Sequence, residues 1–129
     1  MNKLDENVKK LLNESKAWIM STMDTTPNAV PILFKKMDNE DNLILFDVFM
    51  KKSIENIKKN SQIAITIYND ETLEGYQLKG TAAYSTDSKL LEEGNSITSK
   101  MNLTTKGAVI VKVKETFILT PGPNNGHIL

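Results

Sequence analysis

The segment Leu43-Ile44-Leu45-Phe46-Asp47-Val48-Phe49-Met50 is apolar at every position except Asp47. Successive side chains of a strand point to opposite faces, so an apolar run of this kind cannot leave one face to water. One face of this strand packs into a core. The other must be covered by something apolar, either a helix of the same chain or a second copy of it. That requirement constrains how every other segment can be placed.

Upstream, Leu4, Val8, Leu11 and Leu12 have helical spacing and predict a short amphipathic helix over residues 3–14. Residues 17–23 read as extended. Pro27-Asn28 predicts a turn, and residues 29–37 predict one strand that carries Pro31. A proline cannot donate to a ladder, so that strand belongs at an edge or a bulge. Asn39-Glu40-Asp41-Asn42 makes a hairpin turn before the two-faced strand Leu43–Phe49.

Downstream, Ser53 to Asn60 predicts a two-turn helix, with Ser53 as N-cap, Glu55 in the first turn and Lys58 and Lys59 near the C-terminal end. Ile63, Ile65 and Ile67 alternate with smaller or polar residues, a clear strand signal. In residues 73–84, Tyr76, Leu78, Gly80, Ala82 and Tyr84 share one face. Leu90, Gly94, Ile97 and Met101 mark a third helix near residues 86–102. Val109, Val111 and Val113 open a last strand that runs to about Leu119. The Thr120–Gly126 stretch ends it, and His127-Ile128-Leu129 closes the chain. No repeat or linker interrupts the pattern, so residues 1–129 form one domain. Six strands in a meander broken by about three short helices predict a mainly β fold. The best architecture is a six-stranded antiparallel split β-barrel of Greek-key type, with helices at its ends.

Composition narrows the chemistry. The sixteen basic residues balance sixteen acidic ones, and every basic residue is lysine. Zero net charge argues against a nucleic-acid binder working by bulk electrostatics. Without arginine there is no bidentate guanidinium grip on phosphate or carboxylate. Without cysteine there is no disulfide scaffold, zinc ribbon or thiol nucleophile. The single histidine, His127, stands three residues from the end, so no catalytic triad or metal cluster is expected, and no catalytic side chain is assigned. No apolar run approaches the ~20 residues of a membrane span. The charged start, Met1-Asn2-Lys3-Leu4-Asp5-Glu6, lacks an apolar core like that of a signal peptide, and the expected location is the cytoplasm.

The strongest local signal is Lys51-Lys52-Ser53 where a strand passes into a helix. A helix start offers unpaired N–H groups and partial positive charge, and with ammonium and hydroxyl groups added it makes a phosphate site. Read by itself, the same triplet is more often a solvated loop with an ordinary serine cap, since serine caps helices whatever their function. Lysine doublets also occur at Lys35-Lys36 and Lys58-Lys59. Lys79 fits a solvated sheet face, and Trp18, among apolar neighbours, fits the core.

The order of elements and three short motifs resemble the FMN-binding split-barrel family, the group around pyridoxamine 5′-phosphate oxidase that includes small bacterial FMN-binding proteins. The motifs are Pro27-Asn28-Ala29-Val30-Pro31-Ile32, then Met50-Lys51-Lys52-Ser53-Ile54-Glu55-Asn56-Ile57, and Leu78-Lys79-Gly80-Thr81-Ala82 about 25 residues further on. The resemblance implies a homodimer with FMN in clefts between the subunits. It implies that Val30, Pro31 and Ile32, with Phe46, Asp47 and Val48, line the flavin ring. It implies that Lys52 and Ser53, assisted by Lys51, hold the FMN phosphate, and that a partner's chain end approaches the flavin. The arginines of the true oxidase, including its C-terminal substrate motif, have no counterpart here. The expectation is therefore a lysine-anchored relative: an FMN-dependent oxidoreductase of unknown substrate. The alternatives are a non-enzymatic FMN-binding electron carrier, or a small barrel for another ligand such as haem or a deazaflavin.

Overall fold

The computed structural model describes residues 3–129. It contains α1 (Glu6–Glu14), β1 (Trp18–Met23), β2 (Pro27–Ile32), β3 (Lys35–Met37), β4 (Leu43–Asp47), α2 (Lys51–Lys59), β5 (Gln62–Tyr68), β6 (Gly75–Ser85), α3 (Ser88–Thr98) and β7 (Gly107–Ile118). All strand pairs are antiparallel, in one sheet of order β2-β1-β5-β6-β7-β4-β3. The sheet is curled as half of a split barrel, as the sequence led us to expect.

The strand count is seven, not six, because the segment expected as one strand over residues 29–37 breaks at Leu33-Phe34. Its first half, β2, pairs with β1 at one edge of the sheet, and its second half, β3, pairs with β4 at the other. Two residues of chain thus tie the two edges together, and Phe34 O accepts the Phe46 N–H at 2.9 Å to extend the β3–β4 ladder. The turn expected at Pro27-Asn28 lies instead at residues 24–26, and Pro27 opens the strand opposite Met23. Proline is tolerated at a strand's first residue. Pro31 lies on the edge strand β2, as expected.

The concave side of the sheet holds the main core. Trp18, Met20, Leu43, Leu45, Ile65, Leu78, Val109 and Val111 are essentially inaccessible and pack with Val8, Leu11 and Leu12 of α1. The Trp18 ring N–H donates to Leu12 O at 3.0 Å, which ties β1 to α1. The β6–β7 ladder slips by one residue at Lys79/Gly80, where a Cβ on Gly80 would collide with the Lys112 carbonyl.

The two-faced strand is covered from within. Leu43 and Leu45 belong to the main core, whereas Ile44 and Phe46 join Ala108 in a second cluster with Phe34, Leu90 and Ile110. Leu90 belongs to α3, so a helix of the same chain covers the outer face of β4. Gly94 lets α3 approach, since a Cβ there would stand 2.8 Å from the Phe46 ring. The expected stripe on α3 is only half used. Gly94 is buried, but Ile97 and Met101 are exposed. The helix tightens into a 3₁₀ turn at Ser99–Met101 and stops at Asn102, whose φ of 58° is left-handed.

The chain end folds back on β7. Leu129 N donates to Thr116 O at 2.8 Å, Gly126 N donates to Ile118 O at 2.7 Å, and Ile118 N donates to His127 O at 2.9 Å. The His127 side chain is exposed. No helix among the described residues is long and apolar enough to cross a membrane.

Candidate functional site

A cleft of about 310 Å³ opens where β2, the β4–α2 connection and the start of α2 converge. One wall is Asn28, Val30, Pro31 and Ile32 of β2, continued by Leu33 and Phe34. The facing wall is Phe46, Val48 and Phe49. Met50, Lys51, Lys52 and Ser53 close one end. Eight of the nine site residues read from the sequence therefore border a single cleft. Asp47 does not, and its side chain turns into the protein.

The lining is mostly apolar, with its polar groups gathered at the α2 end. Two lips are exposed hydrophobics, Leu33 at 54% and Phe49 at 74% accessibility. Exposed side chains of this size at a cleft mouth leave apolar surface for another body to cover.

The polar end is built on the first turn of α2. This helix begins at Lys51, two residues before the expected start, and Met50 occupies the cap position without a side-chain cap. Ser53 is thus not the N-cap but the third residue of the helix, and Glu55 falls beyond the first turn. Lys58 and Lys59 do occupy the last turn. The capping work is done from upstream, because Asp47 Oδ1 accepts the Met50 N–H at 2.9 Å. Lys51 N donates to Phe49 O at 3.0 Å. The next two amides, of Lys52 and Ser53, lie in the first turn, where the helix itself offers no acceptor. They point with the positive end of the helix dipole, and the Lys51 and Lys52 side chains are exposed beside them.

Ser53 is buried, and its Oγ accepts from Asn28 Nδ2 at 3.0 Å. Asn28 also reaches Thr22 Oγ1 at 3.3 Å, which accepts from Asn56 Nδ2 at 3.1 Å as well. With its acceptor side engaged, the Ser53 hydroxyl retains a proton to donate. Cationic side chains, free amides and a hydroxyl donor together suit a phosphate ester. The apolar walls suit a flat ring.

Asp47 is buried, with both carboxylate oxygens used. Oδ1 holds the Met50 N–H, and Oδ2 accepts the Tyr84 hydroxyl at 2.6 Å. The Asp47 carbonyl accepts the Lys106 N–H at 2.7 Å. Burial, the hydrogen bond to Asp47 and the negative charge of Asp47 all hold the Tyr84 hydroxyl in its protonated form.

Sequence reasoning missed Asn28, Leu33, Phe34, Phe49 and Met50 as lining residues. Asn28 was recoverable. Once Pro27 is taken as the start of a strand, a period of two places Asn28 on the same face as Val30 and Ile32. Leu33 and Phe34 carried no signal, since their place at the cleft comes from the crossing between sheet edges.

Residues 4–117 match the model of the pyridoxamine 5′-phosphate oxidase family, and the chain belongs to that family. An uncharacterized protein of Methanocaldococcus jannaschii is 33% identical over 129 residues, spanning 97% of this chain and 86% of that protein. Among solved structures, HupZ of Group A Streptococcus superposes with a TM-score of 0.82 at 25% identity, over 96% of this chain and 100% of that one. An FMN-binding protein of Syntrophomonas wolfei superposes with a TM-score of 0.76 at 16% identity, over 91% of this chain and 86% of that one. The shared fold is the split barrel.

Proposed function

We propose that this protein binds FMN in the β2–α2 cleft and works as a flavin-dependent oxidoreductase. The observation that carries this reading is the division of the cleft. Apolar walls from β2 and from Phe46, Val48 and Phe49 lead to an end holding Lys51, Lys52, Ser53 and two first-turn amides that have no acceptor among the described residues. When bound, FMN would supply the hydride or electron transfer, which no side chain of this cleft can do alone. The chain's own part is to bind and orient. Val30, Pro31, Ile32, Phe46 and Val48 would sandwich the ring and exclude water. The first turn of α2 and the Ser53 hydroxyl would hold the phosphate, with Lys52 and Lys51 as point charges.

The cleft of one chain lies at the low end of the range for small-molecule sites, about 300–1,000 Å³. A second subunit seated on Leu33 and Phe49 would deepen it, and the protein is accordingly read as a homodimer. The outer face of β4 no longer argues for this, because α3 covers it. The exposed lips do.

The test is titration with FMN, riboflavin and a deazaflavin in parallel, read by fluorescence and by melting temperature. FMN should bind more tightly than riboflavin. In the double variant Lys52→Ala with Ser53→Ala, FMN binding should weaken by about 1.5–3 kcal/mol, the value of a charge-assisted hydrogen bond, while riboflavin binding holds. Equal losses for both would sink the phosphate assignment. No binding of either flavin would sink the cofactor assignment. With FMN bound, steady oxidation of a reduced nicotinamide favours the enzyme over the electron carrier.

A further inference from the structure

The least expected group near the cleft is one that does not touch it. Asp47 is 3% exposed in a region otherwise apolar, and nothing cationic pairs with it among the described residues. Burying a carboxylate is costly unless hydrogen bonds replace water. Asp47 has three polar contacts, and they join three elements. Its carbonyl holds the Lys106 N–H before β7, Oδ2 holds the Tyr84 hydroxyl of β6, and Oδ1 holds the Met50 N–H at the start of α2.

The surroundings are cut to fit this arrangement. Asp47 pairs with Gly107 across the β4–β7 ladder. A Cβ on Gly107 would occupy the space of the Tyr84 hydroxyl, so the glycine leaves room for that hydroxyl to reach the carboxylate. On its other side the Tyr84 ring carries the Lys58 ammonium at 5.6 Å from its centroid, and Lys58 lies in the last turn of α2. Tyr84 therefore contacts the far end of α2 directly and its near end through Asp47.

Resting on the phosphate reading above, we infer that Asp47 and Tyr84 are positioning residues for the anion-binding end of the cleft. They fix where the first turn of α2 begins, and so where the amides of Lys52 and Ser53 point. A helix capped by its own Ser or Asn would not need them. This one has Met50 at the cap, and its entry geometry is borrowed from the sheet. The ring-binding wall on β2 does not depend on this contact, and Phe46 of the facing wall is seated against α3, so loss of the Tyr84 hydroxyl bears on phosphate more than on the flavin ring.

The test uses Tyr84→Phe, which keeps the ring under Lys58 and removes only the hydroxyl, together with Asp47→Asn and the double variant. Two measurements are made on each. The first is the ratio of FMN to riboflavin affinity. The second is amide hydrogen exchange, comparing the first turn of α2 with its last. Tyr84→Phe should lower FMN affinity roughly three- to tenfold, less than the full value of a hydrogen bond to a carboxylate because the lost bond orients the amides and does not touch the phosphate, and leave riboflavin affinity unchanged. Exchange should quicken at the bonded amides of Met50, Lys51 and Ile54 and not at Lys58 and Lys59. The double variant should lose little more than Asp47→Asn alone, because the two act as one unit. The inference is overturned if wild type prefers FMN and Tyr84→Phe keeps that preference in full, or if first-turn exchange is unchanged. If wild type itself shows no preference for FMN, the phosphate reading falls and this inference with it. The exchange data then still show whether the pair holds the helix start.

Discussion

Replacing Gly94 with alanine tests how the two-faced strand is covered. In a solvated helix, alanine is better than glycine by about 1 kcal/mol. Here the added methyl would stand 2.6 Å from Thr105 Cγ2, 2.7 Å from Thr105 Oγ1 and 2.8 Å from Phe46 Cδ1. Favourable carbon contacts begin near ~3.5 Å, so all three are repulsive. Neither partner can retreat easily. Thr105 is buried, its N–H donates to Asn95 Oδ1 at 2.9 Å, and its hydroxyl meets that of Thr98 at 3.0 Å. Phe46 is 1% exposed. Overpacking of this kind costs about 1–3 kcal/mol, and pinned partners on two sides put it near the upper value. Subtracting the propensity gain leaves a net loss of about 2 kcal/mol. For a chain of this size that lowers Tm by roughly 6–12 °C. The assay is thermal unfolding followed by circular dichroism, with Ser96→Ala on the exposed side of α3 as control, expected to change stability by less than about 0.5 kcal/mol. A rise in Tm for Gly94→Ala, which propensity alone would give, would mean that α3 does not seat on Phe46 and that something else covers β4.

Two other parts of the molecule give further expected outcomes. Phe49→Asp should convert a dimer into a monomer, read by size-exclusion chromatography, that still unfolds cooperatively but at a Tm no longer dependent on protein concentration. Identical elution of variant and wild type would remove the second subunit from the cleft. Phe46 and Val48 are unsuitable for that test, since at 1% and 7% exposure a charge there would unfold the protomer instead. The Tyr76 hydroxyl donates to Glu74 at 2.8 Å, and burial, that hydrogen bond and the charges of Glu74 and Asp5 push its pKa up to about 12. A pKa raised above the unfolded value of about 10 means the stabilisation is complete below pH ~10 and is lost as pH climbs toward 12. Chemical denaturation across that window should show wild type losing stability faster than Tyr76→Phe. Parallel decline in both would contradict the assignment.

Much of the fold was legible in the sequence because it depended on period and punctuation. The alternation of Ile63, Ile65 and Ile67, the hairpin at Asn39–Asn42 and the helix at Val8, Leu11 and Leu12 all depend on local signals. The features that could not be read depended on distant partners. The break at Leu33-Phe34 exists because one half of an apolar run pairs with β1 and the other with β4, and no local residue marks the crossing. Ser53 looked like an N-cap because serine is a good one. The true start of α2 is set by Asp47, and that role depends on Tyr84, 37 residues away in the chain. The two possible covers for β4 could not be told apart, because the answer turns on Gly94, which in sequence reads only as a weak point in a helix.

The same strand carries both the fold and the candidate site, and this explains why it is apolar at every position but its last. Leu43 and Leu45 face the core, whereas Ile44 and Phe46 face α3. Phe46 also forms part of the cleft wall, so the back of the cleft is the side chain on which α3 rests. The next residue, Asp47, is the one polar position of the run. It sits where the strand must stop and hand the chain to a helix. An apolar residue there would leave the Met50 N–H and the Tyr84 hydroxyl without their partner, at a cost of about 1–3 kcal/mol for each buried group. Asp47 therefore ends the strand by bonding the start of α2, and the departure from the apolar pattern marks where β4 gives way to the Val48–Met50 connection that continues the cleft wall.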